Sequence, residues 1–403
     1  MPYFRQLTSL PRTVIALGLV SLFNDASGEI IYPLLPLFLT DTLGASKTFV
    51  GLVEGIAESV SSLLKLPAGW YSDRLAKRKG VVILGYSIAS LIRPCLALAT
   101  TASQVLGLRF IDRLGKGLRS APRDAMIADA APPEARGMAF GFHRAMDHTG
   151  AIVGALVAAW LVSIYHSDYR QIFWVAAIPG LLTLVILIFV VREEPRSAET
   201  QSTNTKLSFD LSGFSVEFKQ VLGVVFLFTL SNSSDAFLLL RAKQSGISNV
   251  MIPLLWAALH VSKALSSMIG GSLADRFGKR RLILSGMLLY SIIYACFAVT
   301  TSSLTVWVLF LIYGIYFGLC EGAEKALIAD LVDPNMRGTA YGLYNFVIGV
   351  GALPASLLLG WLWQQFGASM ALLVSAGISL AAAMLFILII FKNNRKITMR
   401  EAV

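Results

Sequence analysis

Residues 141–154, GFHRAMDHTGAIVG, put two histidines, an arginine and an aspartate within six positions at the head of an apolar run. On a helix, His143 and Asp147 share a face at i, i+4, and Arg144 and His148 share the adjacent one. Histidine titrates near neutrality, so an imidazole beside a carboxylate suits a proton relay. The plainer alternative is a hydrogen-bond network that ties this helix to a neighbour. Gly150 and Gly154 follow, small enough to let another helix approach closely. The segment therefore reads as a polar patch leading into a contact seam.

Further ionisable residues interrupt other apolar runs. Asp25 and Glu29 stand one turn apart, ahead of Pro33 and Pro36, which should kink the end of their helix. Glu54 and Glu58 share a stripe with Lys65. Arg93 follows, then Arg109, Asp112, Arg113, Lys116, Arg119, Arg123 and Asp124 in one run. The second half is poorer: Asn232, Asp235 and Arg241, then His260 and Lys263, then Glu321, Glu324 and Lys325. A charge at mid-bilayer costs about 2.5–3.5 kcal/mol on insertion scales, so such residues face a cavity or a partner. Asp25, Glu29, Glu58, Arg113, Asp147, His148 and His260 fall closest to mid-span. Arg119, Arg123, Asp124, Glu321, Glu324 and Lys325 lie nearer one surface, where snorkelling and gate salt bridges are the simpler reading.

The elements that must carry these groups follow from composition. Of 403 residues, 56% are hydrophobic and only 14% charged, where soluble domains hold about 25% charged residues. Mean hydropathy is +0.68. Lipid is the expected solvent. Twelve runs are long enough to span about 30 Å of hydrocarbon as helix: 13–39, 48–71, 80–101, 103–127, 137–163, 170–191, 218–242, 249–273, 280–301, 303–327, 338–364 and 368–391. The three cysteines, Cys95, Cys296 and Cys320, lie inside these runs and offer neither a disulfide framework nor a CxxC metal site. The N-terminus shows no cleavage site, so the first helix is read as retained.

The chain repeats itself. AMIADAAPPEARGMAFG (125–141) aligns with ALIADLVDPNMRGTAYG (326–342), and GWYSDRLAKRK (69–79) with GSLADRFGKRR (271–281). This predicts an N-terminal six-helix bundle (1–191), a polar Ser/Thr-rich linker (192–217) and a C-terminal six-helix bundle (218–403). The net charge of +10 collects in short patches, RLAKRK (74–79), RFGKRR (276–281) and KNNRK (392–396), not on one nucleic-acid-binding face. By the positive-inside rule these patches mark the cytoplasmic side of a multi-pass protein of the cell (inner) membrane, with both termini cytoplasmic. Aligned positions diverge in charge: Arg113 matches Gly314, Asp112 matches Tyr313, and Glu58 matches His260. Packing alone does not need that divergence, so the buried charges of the first half are read as serving protons or substrate.

These residues carry a family resemblance: the chain resembles transporters of the major facilitator superfamily. Gly69, Asp73, Arg74, Lys77 and Arg78 fit the family's loop motif between helices two and three, with Ala76 where glycine is usual. The second copy, Gly271, Asp275, Arg276, Gly278, Lys279 and Arg280, fits better. Arg113 and Gly117 match the R-x-x-x-G pattern of drug-exporting members. Gly141, Gly150 and Gly154 match their antiporter motif, with Ala155 in place of its proline. The resemblance implies an all-α membrane fold of twelve transmembrane helices in two pseudo-symmetric six-helix bundles.

It also implies secondary transport by alternating access, with proton-coupled export of a small molecule as the leading expectation. Asp25, Glu29, Glu58, Asp147 and His148 are the proton-coupling candidates. Arg113, Glu54, His143, Asn232, Asp235, His260 and Lys263 are the substrate-binding candidates. Asp73, Arg74, Arg123, Asp275 and Arg276 are the gating candidates, with Asp73 and Asp275 each expected to face the N-terminus of a helix in the opposite half. Two alternatives keep the fold and change the cargo: a divalent metal or metal chelate drawing on the same carboxylates and histidines, or uptake of an anionic metabolite. No nucleophile–base spacing, phosphate loop or cofactor motif appears, so neither an enzyme nor a cofactor is expected. The expected partners are a small-molecule or ion substrate, protons and the lipid bilayer, with no nucleic acid and a monomeric chain.

Overall fold

Apolar runs of about twenty residues satisfy their backbone polar groups in lipid only by becoming helices, each group bonded within its own segment. The computed structural model describes residues 10–132, 135–166, 168–193, 211, 213–333 and 336–401, and each of the twelve runs is helical there. The elements are α1 (Arg12–Ile31), α2 (Lys47–Ser72), α3 (Lys79–Cys95), α4 (Ala102–Ala130), α5 (Arg136–Ile164), α6 (Tyr169–Val175), α7 (Ala177–Phe189), α8 (Val216–Ser231), α9 (Ala236–Gln244), α10 (Met251–Phe277), α11 (Lys279–Val299), α12 (Ser303–Asp330) and α13 (Arg337–Glu401). No β-strand occurs among the described residues. This is an all-α membrane protein.

Among the described residues, eight stretches are long and apolar enough to cross a membrane by composition alone. The last, Arg337–Ile390, has length for two passages and turns at Gly367, whose φ of 85° suits only a residue without a side chain. In α2 and α4 the ionisable residues Glu54, Glu58 and Lys65, and the arginine run, interrupt the apolar sequence of the span.

Local chemistry sets the boundaries. Thr101 and Gln104 form a reciprocal capping box at the start of α4. Pro33 and Pro36 do break the first span: α1 stops at Ile31, and a short turn (Leu35–Leu37) and a π-helical turn (Phe38–Thr42) carry the chain on. The run 218–242 is interrupted at residues 232–235, between α8 and α9. The two loop-motif copies differ for a stated reason. Gly278 takes φ 89°, so α10 and α11 meet across one residue. Ala76 cannot take that conformation cheaply, and residues 73–78 form a longer loop between α2 and α3.

The chain divides into two compact units. Unit 1 comprises residues 1–45, 60–207 and 248–257; unit 2 comprises 46–59, 208–247 and 258–403. Both α2 and α10 therefore begin in one unit and end in the other. In unit 1, α1 lies on α5 along the predicted small-residue seam. A Cβ on Gly150 would strike the carbonyl of Leu22, and one on Gly154 the backbone of Ala26, whereas Gly141 has open space around it. Leu17, Val20, Val82, Tyr86, Met126, Ile127 and Leu187 form a buried core joining α1, α3, α4 and α7. In unit 2, residues 46–59 lie against the first arm of α13. Thr48 Oγ1 donates to the Gly360 carbonyl at 3.4 Å, and the Leu353 amide donates to Ser59 Oγ at 3.0 Å.

Candidate functional site

In unit 1, the chemistry gathers where α1, α3, α4 and α5 meet. The α1–α5 seam brings Ser21 onto Asp147, whose Oδ1 accepts a hydrogen bond from Ser21 Oγ. His143, one turn earlier and buried, points Nδ1 at Asp147 Oδ2 across 3.6 Å. Its Nε2 is buried and has no hydrogen-bond partner among the described residues. The expected pairing of His143 with Asp147 on one face is thus present, and a serine from α1 completes it. His148 is half-buried on the neighbouring face of α5.

One turn further along α1, Asn24 links two groups. Its Nδ2 donates to Asp25 Oδ1 at 2.7 Å, while its carbonyl and Oδ1 accept from Arg93 Nη1 at 2.6 and 3.1 Å. Arg93 Nε also donates to Asp112 at 3.1 Å, with both side chains buried. Arg109 and Arg113 reach the other oxygen of Asp112 at 3.6 and 3.7 Å. The ion pair of Arg113 thus runs to its own chain neighbour, Asp112. Glu29 accepts from Trp256 Nε1 at 2.8 Å, and Trp256 lies against Tyr32, their ring centroids 5.1 Å apart.

Unit 2 builds a separate cluster at the break between α8 and α9. Asp235 accepts from Tyr313 Oη at 2.7 Å and pairs with Lys263 Nζ at 3.3 Å. Asn232 Nδ2 donates to Tyr316 Oη at 3.4 Å. Three of the substrate-binding candidates, Asn232, Asp235 and Lys263, thus stand together. Tyr290, Tyr294, Tyr313 and Tyr316 pack around them, Tyr290 stacked on Tyr294 with centroids 4.1 Å apart. Glu54 is buried and accepts weakly from Ser234 Oγ at 3.4 Å. Glu58 is exposed on α2, and His260 is half-buried on α10.

The gating candidates lie at the α2–α3 loop and its repeat, except Arg123, which is on α4. Arg78, buried to 4% exposure, joins Asp73 at 2.7 Å to Asp129 at 2.5 Å. Arg74 instead folds back to donate to the Trp70 carbonyl and stack on the Trp70 ring. Glu193 caps α3, its two carboxylate oxygens accepting from the Arg78 and Lys79 amides at 2.7 and 2.8 Å. Arg123 pairs with Asp124 at 2.8 Å. In the second copy Lys279 pairs with Asp330, and Arg280 pairs with Glu217. Arg276 lies over the ring of Phe277, and the side chain of Asp275 is outside the described residues.

Some of these groups were not among the candidates. Asp112 sits three after Arg109 and one before Arg113, a spacing that marks it as their shared acceptor. Tyr290/Tyr294 and Tyr313/Tyr316 repeat at helical spacing and could have been grouped. Ser21 and Glu193 carry no such signal, because only the fold brings them to Asp147 and to α3. Among the described residues, no three His, Cys, Asp or Glu side chains assemble as a metal-ligand group.

Long apolar helices that bury paired and networked charges are those of a polytopic membrane protein. The chain belongs to the Major Facilitator Superfamily, whose sequence profile matches residues 17–261 and 221–401. It is 35% identical over 363 residues to an uncharacterized MFS-type transporter, MJ1317, of Methanocaldococcus jannaschii, covering 88% of this chain and 89% of that protein. A multi-drug resistance efflux pump PmrA homolog of Lactococcus lactis is 26% identical, covering 84% and 86%, respectively. Multidrug resistance protein MdtH of Proteus mirabilis is 24% identical, covering 83% of each chain. The fold matches a crystal structure of the nucleoside transporter NupG (D323A mutant) with a TM-score of 0.80 at 14% identity, covering 94% of this chain and 99% of that one. The protein is a membrane transporter and not an enzyme.

Proposed function

We propose that this transporter exports a small organic molecule in exchange for protons, by alternating access, as a monomer in the cell membrane with both termini in the cytoplasm. The observation that carries the reading is the Ser21–Asp147–His143 cluster on the α1–α5 seam. A carboxylate that accepts from a hydroxyl and faces an imidazole can take up and release a proton. Protonation cancels its attraction for the imidazole and frees an oxygen, which alters how α1 and α5 are joined. The uncommitted Nε2 of His143 gives the proton a second station. Asp25, Glu29, Glu58 and His148 are further proton-coupling candidates, and Arg113, Glu54, His143, Asn232, Asp235, His260 and Lys263 remain the substrate-binding candidates. Asp73, Arg74, Arg123, Asp275 and Arg276 are proposed to gate.

Outward direction is supported by relatives named as multidrug resistance and efflux proteins. A second reading, import of an anionic metabolite, is favoured by the three guanidinium groups gathered on Asp112. Proteoliposomes with an imposed pH gradient and a panel of amines, neutral drugs and organic anions separate the two. Proton-driven movement of a non-anionic compound is expected, and Asp147→Asn should abolish the driving effect of the gradient. Normal coupling in Asp147→Asn and His143→Gln would sink the relay. Gradient-independent accumulation of anions alone would favour the second reading.

A further inference from the structure

At the break between α8 and α9, unit 2 already holds an ammonium ion, the one on its own Lys263. Nζ lies 3.3 Å from Asp235 Oδ2 and 3.6 Å from the centroid of the Phe317 ring. The other carboxylate oxygen accepts from Tyr313 Oη at 2.7 Å, which fixes the orientation of Asp235. A carboxylate on one side and an aromatic face on the other recognise an organic ammonium by ion pairing and cation–π attraction together.

The break is fastened on both sides. Before it, the Tyr290 hydroxyl donates to the Ser231 carbonyl at 2.9 Å, and at its first residue Asn232 donates to Tyr316. After it, Arg241 donates to the carbonyls of Phe297, Ala298 and Thr300 at 2.8–3.0 Å, tying α9 to the end of α11. Residues 232–235 thus leave the helix in a held shape, with Asp235 presented at its end. The ion pair is not fully sealed: 11% of the Lys263 side chain and 16% of Asp235 remain exposed. Stability gives little reason to keep such a pair, because apolar residues of similar volume serve a core as well or better.

We propose that Asp235 is the binding carboxylate for the ammonium group of an organic amine cargo, and that Lys263 is a tethered stand-in that the cargo displaces. This rests on the reading of the chain as a transporter of small organic molecules and names their class. Between cargoes Lys263 keeps Asp235 neutralised. An arriving amine takes over the carboxylate and the aromatic face, and Lys263 swings toward its exposed side. Affinity is then reduced by the fraction of time that Lys263 occupies the site. A neutral alcohol of the same shape gains nothing from Asp235, and a carboxylate is repelled by it.

The test is equilibrium binding of benzylamine, benzyl alcohol and benzoate to the purified full-length protein in detergent, with no gradient. Benzylamine binding should tighten about tenfold or more in Lys263→Met, where the competitor is gone. It should fall about thirtyfold or more in Asp235→Asn, with benzyl alcohol unchanged in both. Asp235→Glu, which keeps the charge, should retain amine binding and replaces Asp235→Asn if that variant does not purify. Benzylamine binding that ignores Lys263→Met, or is absent from both wild type and Lys263→Met, overturns the proposal. So does benzoate binding that exceeds benzylamine and is lost in Lys263→Met. Because the measurement needs no proton gradient, a failed proton-coupling assay leaves this result standing, and the reverse also holds.

Discussion

Asp112 is shared by three guanidinium groups drawn from α3 and α4, with Arg93 also held by Asn24 of α1. A carboxylate at 4% exposure in that position joins three helices of unit 1. Removing one member of a buried, hydrogen-bonded charge group costs about 3–5 kcal/mol. Asp112→Asn should therefore lower thermal stability markedly, read as loss of the monodisperse peak after heating in detergent. Asp73 makes a comparable pair with Arg78, but its side chain is 49% exposed, and pairs open to solvent contribute about 0–1 kcal/mol. Asp73→Asn should leave the melting profile close to wild type. Equal losses in the two variants would show that burial does not set the value of these pairs.

Helices α1 and α5 meet as closely as their side chains allow, and the seam is one-sided. Gly150 and Gly154 press on the α1 backbone, whereas Gly141 in the same motif faces open space. Gly154→Leu should force the helices apart at a cost of about 1–3 kcal/mol. It should also weaken proton coupling, because Ser21 would leave Asp147. Gly141→Leu should change neither the melting profile nor the coupling. A second contrast belongs to the loops. Gly278→Ala places a side chain at φ 89° and ψ 135°, which costs about 1–3 kcal/mol, while Ala76→Gly in the first copy relieves nothing and should be nearly silent. Thermal unfolding of the pair measures this; equal effects would mean that the glycine is not what permits the tight α10–α11 turn.

For the whole molecule, the basic patches at 74–79, 276–281 and 392–396 lie on one side of the expected topology and the uncharged loops on the other. Fluorescent-protein and phosphatase fusions after residue 403 should report a cytoplasmic end, with fluorescence retained and phosphatase inactive. A phosphatase inserted at the 100–103 loop should be active. Reversal of both signals would invert the proposed direction of transport along with the topology.

Sequence alone determined that the apolar runs are helical and that the chain repeats itself, because lipid leaves an apolar run one way to satisfy its backbone and because matched segments recur at a fixed offset. It also determined that His143 and Asp147 share a face, since helical periodicity is local. Only the tertiary structure decided that Ser21 completes that pair, that Arg113 pairs with Asp112, and that Glu193 caps α3. Those partners come from distant residues, and nothing in a serine or a glutamate announces which helix will arrive beside it. The division of α2 and α10 between the two units has the same origin. Helix formation is local, but the choice of neighbour is made by side-chain packing along the whole length of each helix.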